Sequence, residues 1–264
     1  MSILQAVIVA IVEGLTEFLP VSSTGHMILT QHLLGIESTP LVKAFTVNIQ
    51  LGAILSVLIL YWKRFFQSFN FYVTLFVAFF PAAVIGFLLG DYIDMLLESV
   101  LTVAIMLVLG GVVMLFVDRW FGLPDKEQRI GSSRALKIGL AQCVAMIPGV
   151  SRSAASIVGG MATGLSRKTA AEFSFFLAVP TMFAASAYKL LKDYKVLFAE
   201  ESVKENLVLL GVGNVVAFAV GMLAIRFFIG FLTRYGFKAF GWYRIVVGGV
   251  ILLLLACGKN LAIL

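Results

Sequence analysis

The chain has 264 residues, of which 61% are apolar and 13% charged, with a net charge of +6. A soluble domain is about a quarter charged, so this composition leaves too little polar surface for water and marks an integral membrane protein. It excludes a secreted disulfide scaffold, a disordered chain and a nucleic-acid-binding domain. The basic residues sit between apolar segments, and the two cysteines, Cys143 and Cys257, lie within apolar runs.

The first apolar stretch is Ser2–Leu34. No Lys or Arg precedes it, so it lacks the basic start of a signal peptide and is expected to stay in the mature protein. It contains Glu13, Glu17 and His26, with a break at Leu19-Pro20. It is too interrupted for one clean span and reads as two short helices that dip into the membrane and return. Such broken helices are tolerated only where they are buried in protein or line a cavity. Ala44–Tyr61, Phe71–Gly90 and Ser99–Val117 follow, uncharged over 18, 20 and 19 residues. Each is long enough to cross a core of about 30 Å as a helix. Ile138–Ser166 is the second odd stretch, with Arg152 its interior charge and a break at Ile147-Pro148-Gly149. Phe173–Tyr188, Asn206–Ile225 and Gly241–Cys257 complete the series of spans.

The two broken stretches are alike. Val21-Ser22-Ser23 falls on Val150-Ser151-Arg152 at an offset of 129, and Glu13 falls on Gln142 at the same offset. Phe45 then pairs with Phe173, Tyr61 with Tyr188, and Gly110-Gly111-Val112 with Gly248-Gly249-Val250. The fold class expected is an all-α polytopic membrane protein with an inverted-topology repeat. It is a single membrane domain with repeats at about 1–125 and 130–264, each one re-entrant helix hairpin plus three spans. Three spans carry a unit to the opposite side, so its second copy must be inverted. The loops 61–70, 118–137, 167–168 and 226–244 hold 13 Lys and Arg, against six on the other side. The basic-rich side is expected to be cytoplasmic, with both termini and the acidic Asp91–Glu98 turn outside.

Glu13 and Glu17 are spaced i, i+4 and share a helix face. Two carboxylates at membrane depth repel, and need a cation, a shared proton or a basic partner. Ser22, Ser23 and Thr24 follow the Pro break, where hydroxyls also serve as helix N-caps. His26 lies three residues past Ser23, a spacing that brings an imidazole near a hydroxyl, the pairing that activates a nucleophile. Arg152 needs an anion. Glu13 or Glu17 would make a structural bridge, whereas a phosphate would be gripped by both arms of the guanidinium. Ser151 and Ser153 beside it either cap a helix or bond phosphate oxygens. These residues favour an intramembrane site for a phosphorylated lipid, with a transporter site as the close alternative. An ion channel fits poorly, because one Arg opposite two Glu makes no single-sign ring.

The run Glu13-Gly-Leu-Thr-Glu-Phe-Leu-Pro-Val-Ser-Ser-Thr-Gly-His26 and the run Pro148-Gly-Val-Ser-Arg-Ser153 closely resemble the two signatures of bacterial undecaprenyl-diphosphate phosphatases of the bacitracin-resistance family. Phe45-x-x-x-Ile-Gln-Leu-Gly52 and Gly164-Leu-Ser-Arg167 extend the resemblance along the chain. Ala154 departs from it, standing where the family commonly has Gly. The resemblance implies removal of one phosphate from a polyprenyl diphosphate lipid, regenerating the carrier for cell-wall synthesis. It also implies a bacterial inner-membrane location, a site open to the outer face and a divalent cation, Mg or Ca. Ser23, His26, Glu17 and Arg152 are then the catalytic candidates. Glu13 and Glu17 are the cation ligands. Ser22, Thr24, Ser151, Ser153 and Gln50 are the phosphate-binding candidates. Ser23 is expected to attack phosphorus with His26 as base; attack by His26, or by water activated by Glu17, stays open. A homodimer is a further expectation, and no nucleic-acid partner is expected.

Overall fold

The computed structural model describes residues 1–66, 68–97, 99–192, 203–258 and 261. The described residues form ten α-helices and two short 3-10 helices, with no strand among them. In chain order these are α1 (Ile3–Thr16), α2 (Ser23–Leu33), α3 (Pro40–Leu60), α4 (Phe69–Leu97), α5 (Val100–Phe121), α6 (Ser132–Cys143), α7 (Arg152–Ala162), α8 (Arg167–Lys192), α9 (Val203–Tyr235) and α10 (Lys238–Ala256). Six of them, α3, α4, α5, α8, α9 and α10, are long and apolar enough to cross a membrane. The chain is thus a multi-pass membrane protein.

Local chemistry sets the helix starts. Ser2 and Gln5 form a reciprocal capping box on α1. Thr39 accepts from the Val42 amide at the head of α3, with Pro40 as its first residue. Ser99 does the same for α5 through Thr102. The breaks fall where Pro20 and Pro148 deny the backbone an amide donor. Between α1 and α2 the chain turns at 17–22. Between α6 and α7 it passes through a 3-10 turn, Val144–Met146, and then Pro148 and Gly149. Among the described residues, Ser22 (φ 69) and Ser151 (φ 79) are the non-glycine residues with positive φ, each directly preceding a short helix. That backbone is strained for an L-residue and persists only when its surroundings enforce it.

The packing interleaves the two ends of the chain. α1 lies against α9, and α6 lies against α4. Both contacts depend on a missing side chain. A Cβ at Gly14 would meet Ala217 O and Val220 of α9 at 2.9 Å, and one at Gly139 would strike Ala78 O of α4. α5 and α10 form the most extensive helix pair. Beneath the α1–α2 turn, fully buried Phe18 meets Phe175 edge-on at 5.5 Å, and Phe175, Phe228 and Phe240 continue the column into α8, α9 and α10. At one end of the bundle Asp118 accepts from Arg167 Nε at 2.8 Å and from the Phe237 amide at 2.7 Å, joining α5, α8 and α10.

Two sequence expectations change. Residues 91–97 are not a turn: α4 runs through them and kinks at Leu89, while Glu98 lies outside the described residues. Arg244 is not a loop charge: it sits within α10 and is fully buried. The charge bias without it is 12 against six, of which Lys195 and Lys259 lie outside the described residues.

Candidate active site

The polar centre forms where the two Pro turns approach. α1 is apolar between Gln5 and its last turn, where Glu13 and the C-capping residue Glu17 point inward; both are buried. The chain reverses at Pro20, so Ser23 at the start of α2 comes back over Glu17. Ser23 Oγ donates to Glu17 Oε2 at 2.9 Å. From the other turn, Arg152 Nη2 reaches Glu17 Oε1 at 3.3 Å, and its Nη1 donates to Ser174 O of α8 at 3.0 Å. Glu17 therefore links a hydroxyl and a guanidinium that are 129 residues apart in sequence. Glu13 is close enough to Glu17 for the two carboxyls to share a proton in a side-chain hydrogen bond, and no other group donates to either of its oxygens.

Two donors are buried and unused. Ser22 Oγ and Arg152 Nε have no hydrogen-bond partner. A buried polar atom left unpaired is costly, and such atoms in a native structure call for an explanation. Here they surround the Ser23–Glu17–Arg152 chain: two donors suited to an oxyanion and one carboxylate suited to a cation. Ser153 is committed differently, its Oγ donating to Leu19 O at 2.8 Å and so tying the two turns together. Ser151 caps α7 by accepting from the Ala154 amide at 3.3 Å, and its Oγ lies 3.0 Å from that of Ser153. Thr24 is half-buried beside Ser23. Gln50 is half-buried on α3 and makes none of the hydrogen bonds of this cluster.

The expected Ser23–His26 hydrogen bond is replaced by another arrangement. His26 Nδ1 donates to its own helix, to Ser22 O at 2.8 Å, and Nε2 accepts from Tyr243 Oη at 2.7 Å. The physical reason is that Ser23 Oγ turns toward the Glu17 carboxylate, a stronger acceptor than imidazole. Sequence reasoning missed Tyr243 and the buried Arg244. Arg244 donates to Pro20 O, Gly149 O and Val150 O in the two turns, at 3.2, 2.8 and 2.8 Å. The one sequence signal for it was a charge within an otherwise apolar helix.

A divalent cation fits these residues in part. Glu13 and Glu17 offer hard carboxylate oxygens, two of them accepting from no other group. No group of three or more His, Cys, Asp or Glu among the described residues could hold a metal alone. Mg habitually binds through one or two carboxylates, with water and substrate phosphate as the remaining ligands, and this donor set matches that habit.

Comparison with known proteins agrees with the geometry. The family described as bacitracin resistance protein BacA matches residues 6–250. A protein named undecaprenyl-diphosphatase from Flavobacterium johnsoniae is 57% identical, covering 96% of each chain. Proteins of the same name from Porphyromonas gingivalis and Bdellovibrio bacteriovorus are each 54% identical, covering 100% and 99% of both chains. By the match over residues 6–250 and the near-full-length relatives, this chain belongs to the bacitracin resistance protein BacA family.

Proposed function

We propose that this chain hydrolyses undecaprenyl diphosphate to undecaprenyl phosphate and inorganic phosphate, recycling a lipid carrier and thereby conferring resistance to bacitracin. Its family and its relatives' names support the substrate and the reaction. The observation that carries the mechanism is the chain Ser23 Oγ–Glu17–Arg152 Nη2. Ser23 Oγ attacks the terminal phosphorus while its proton passes to Glu17 Oε2. The bond from that phosphorus to the bridging oxygen breaks, and undecaprenyl phosphate leaves. Water then cleaves the Ser23 phosphoester and returns Ser23 to its hydroxyl form. Arg152 uses its unpaired Nε–H, and the Ser22 hydroxyl its free proton, to stabilise charge developing on the phosphoryl oxygens. Glu13 and Glu17 would hold a divalent cation, which when bound supplies charge neutralisation at the diphosphate. His26 sits one turn further along α2 and steadies the turn through Ser22 O.

The scaffold we infer is an inverted repeat in one membrane domain, residues 1–125 and 130–264. α1–α2 and α6–α7 are re-entrant hairpins from opposite faces. The paired positive-φ serines, the two glycine-mediated contacts and the three spans between the hairpins support this reading. The basic-rich face is then cytoplasmic and the Glu-bearing hairpin opens to the periplasm of an inner-membrane protein. Single cysteines replacing Glu37 and Lys126, both exposed, test it in a protein cleared of its native cysteines. An impermeant thiol reagent should reach position 37 in whole cells, and position 126 only after they are opened. Labelling of both from outside would overturn the inversion.

The repeat also favours a second reading, carriage of the lipid phosphate across the bilayer. Phosphate release in detergent micelles separates the two, because micelles offer no second compartment. Release from undecaprenyl diphosphate supports hydrolysis. Binding without release supports carriage alone.

A further inference from the structure

Arg244 is fully buried and has no carboxylate partner among the described residues. A cation in such a place must be held by dipoles. Its donors are all directed to carbonyls. Nη1 meets Pro20 O and Val150 O at 3.2 and 2.8 Å, Nη2 meets Gly149 O and Met106 O at 2.8 and 3.1 Å, and Nε meets Leu107 O at 3.4 Å. Gly110 is what admits the side chain, since a Cβ there would strike the guanidinium.

The choice of carbonyls matters more than their number. Val150 O belongs to the peptide that leads into strained Ser151, next to Arg152. Pro20 O lies two residues before strained Ser22, next to Ser23. One guanidinium thus fixes the backbone beneath the attacking hydroxyl and beneath the charge that receives the phosphate. Lys could not do this, because its single nitrogen lacks the planar fork that spans several acceptors. Tyr243, the preceding residue, donates to His26 Nε2 at 2.7 Å and its ring lies parallel to the imidazole, with centroids 5.5 Å apart. Ser22 O holds the other ring nitrogen, Nδ1. The His26 ring is therefore fixed in one tautomer between α2 and α10.

We infer that Tyr243 and Arg244 are positioning residues for the phosphoryl transfer. Arg244 locks the two strained turns to each other, and Tyr243 clamps the His26 side of the same turn. The inference rests on the phosphatase reading above. Preorganisation of this kind acts on the chemical step, since small displacements of reacting groups are costly.

The test combines kinetics with a signature that needs no turnover. Arg244→Lys keeps the charge and should lower kcat by roughly 100-fold, the cost of misplacing a reacting group by about 1 Å, with KM little changed. Tyr243→Phe should lower kcat by about tenfold, the upper scale of one net hydrogen bond, again with KM little changed. The chain has two histidines, so a His32→Gln background isolates His26 for nitrogen NMR in micelles. The wild-type ring should carry its proton on Nδ1, and the Nε2 resonance should move downfield in Tyr243→Phe. An Arg244→Lys protein with wild-type kcat, or an Nε2 resonance unmoved by Tyr243→Phe, overturns the assignment of the pair. If the wild-type protein released no phosphate, the phosphatase reading would fall, while the ring signature would still decide the role of Tyr243.

Discussion

The turn after α1 and the turn after α6 share one backbone feature and divide the chemistry. Each has a proline, then a serine at positive φ, then a short helix. In the second turn Ser151 spends its hydroxyl on capping α7. In the first, Ser22 occupies the same conformation and its hydroxyl bonds to nothing. Gln142 of α6 stands 129 residues after Glu13, as Ser151 does after Ser22, and its amide donates to Thr181. Glu13, Glu17 and the Ser23 hydroxyl come from one side, and the Arg152 guanidinium from the other. A shared strained backbone therefore does not make a site; the site appears where one turn's acid meets the other turn's base.

The largest expected effect comes from removing that meeting. Arg152→Lys keeps the charge but loses the planar fork, and phosphate release should fall by roughly 100-fold or more, the scale of a lost transition-state donor. Arg152→Ala should also lower thermal stability. It leaves Glu17 buried without its partner, a loss of about 3–5 kcal/mol. Wild-type turnover in a folded Arg152→Lys protein would reduce Arg152 to bulk charge.

Glu13→Gln makes the first turn more like the second. Activity should fall by about tenfold or more, the scale of a disturbed metal site, and the cation titration should move to higher concentration. Folding should not suffer, because the glutamine amide can still donate to the neighbouring Glu17 carboxylate. An active variant with an unshifted cation titration would free Glu13 from the ligand role.

The serines give the smallest and most selective contrast. Ser151→Ala loses a helix cap and should cost about 1 kcal/mol in stability, read as a lower unfolding midpoint. Ser22→Ala has no protein hydrogen bond to lose, so its midpoint should hold while its turnover drops. The reverse pattern would mean that the two turns had been assigned the wrong way round.

Much of this was legible in the sequence. Five of the six spans follow from uncharged runs, the sixth from an apolar run broken by Arg244, and both breaks follow from Pro20 and Pro148. The meeting of Arg152 with Glu17 was one of its two internal options, because a lone buried cation needs an anion. The hydrogen-bond acceptor of Ser23 was not legible. The i, i+3 spacing pointed to His26, which lies on the same helix, whereas the reversal at Pro20 brings Glu17 from the preceding helix nearer. Arg244 was hidden for a related reason. Its partners are backbone carbonyls 94 to 224 residues away, and carbonyls leave no trace in side-chain chemistry.

The central claim is that Ser23, relieved of its proton by Glu17, carries the phosphate. It is tested most directly by quenching the reaction on undecaprenyl diphosphate labelled in its terminal phosphate and mapping the labelled peptide. The account predicts an acid-stable phosphoester on Ser23, absent from Ser23→Ala. An acid-labile label on His26, or inorganic phosphate released with no protein-bound label at any time point, would contradict it.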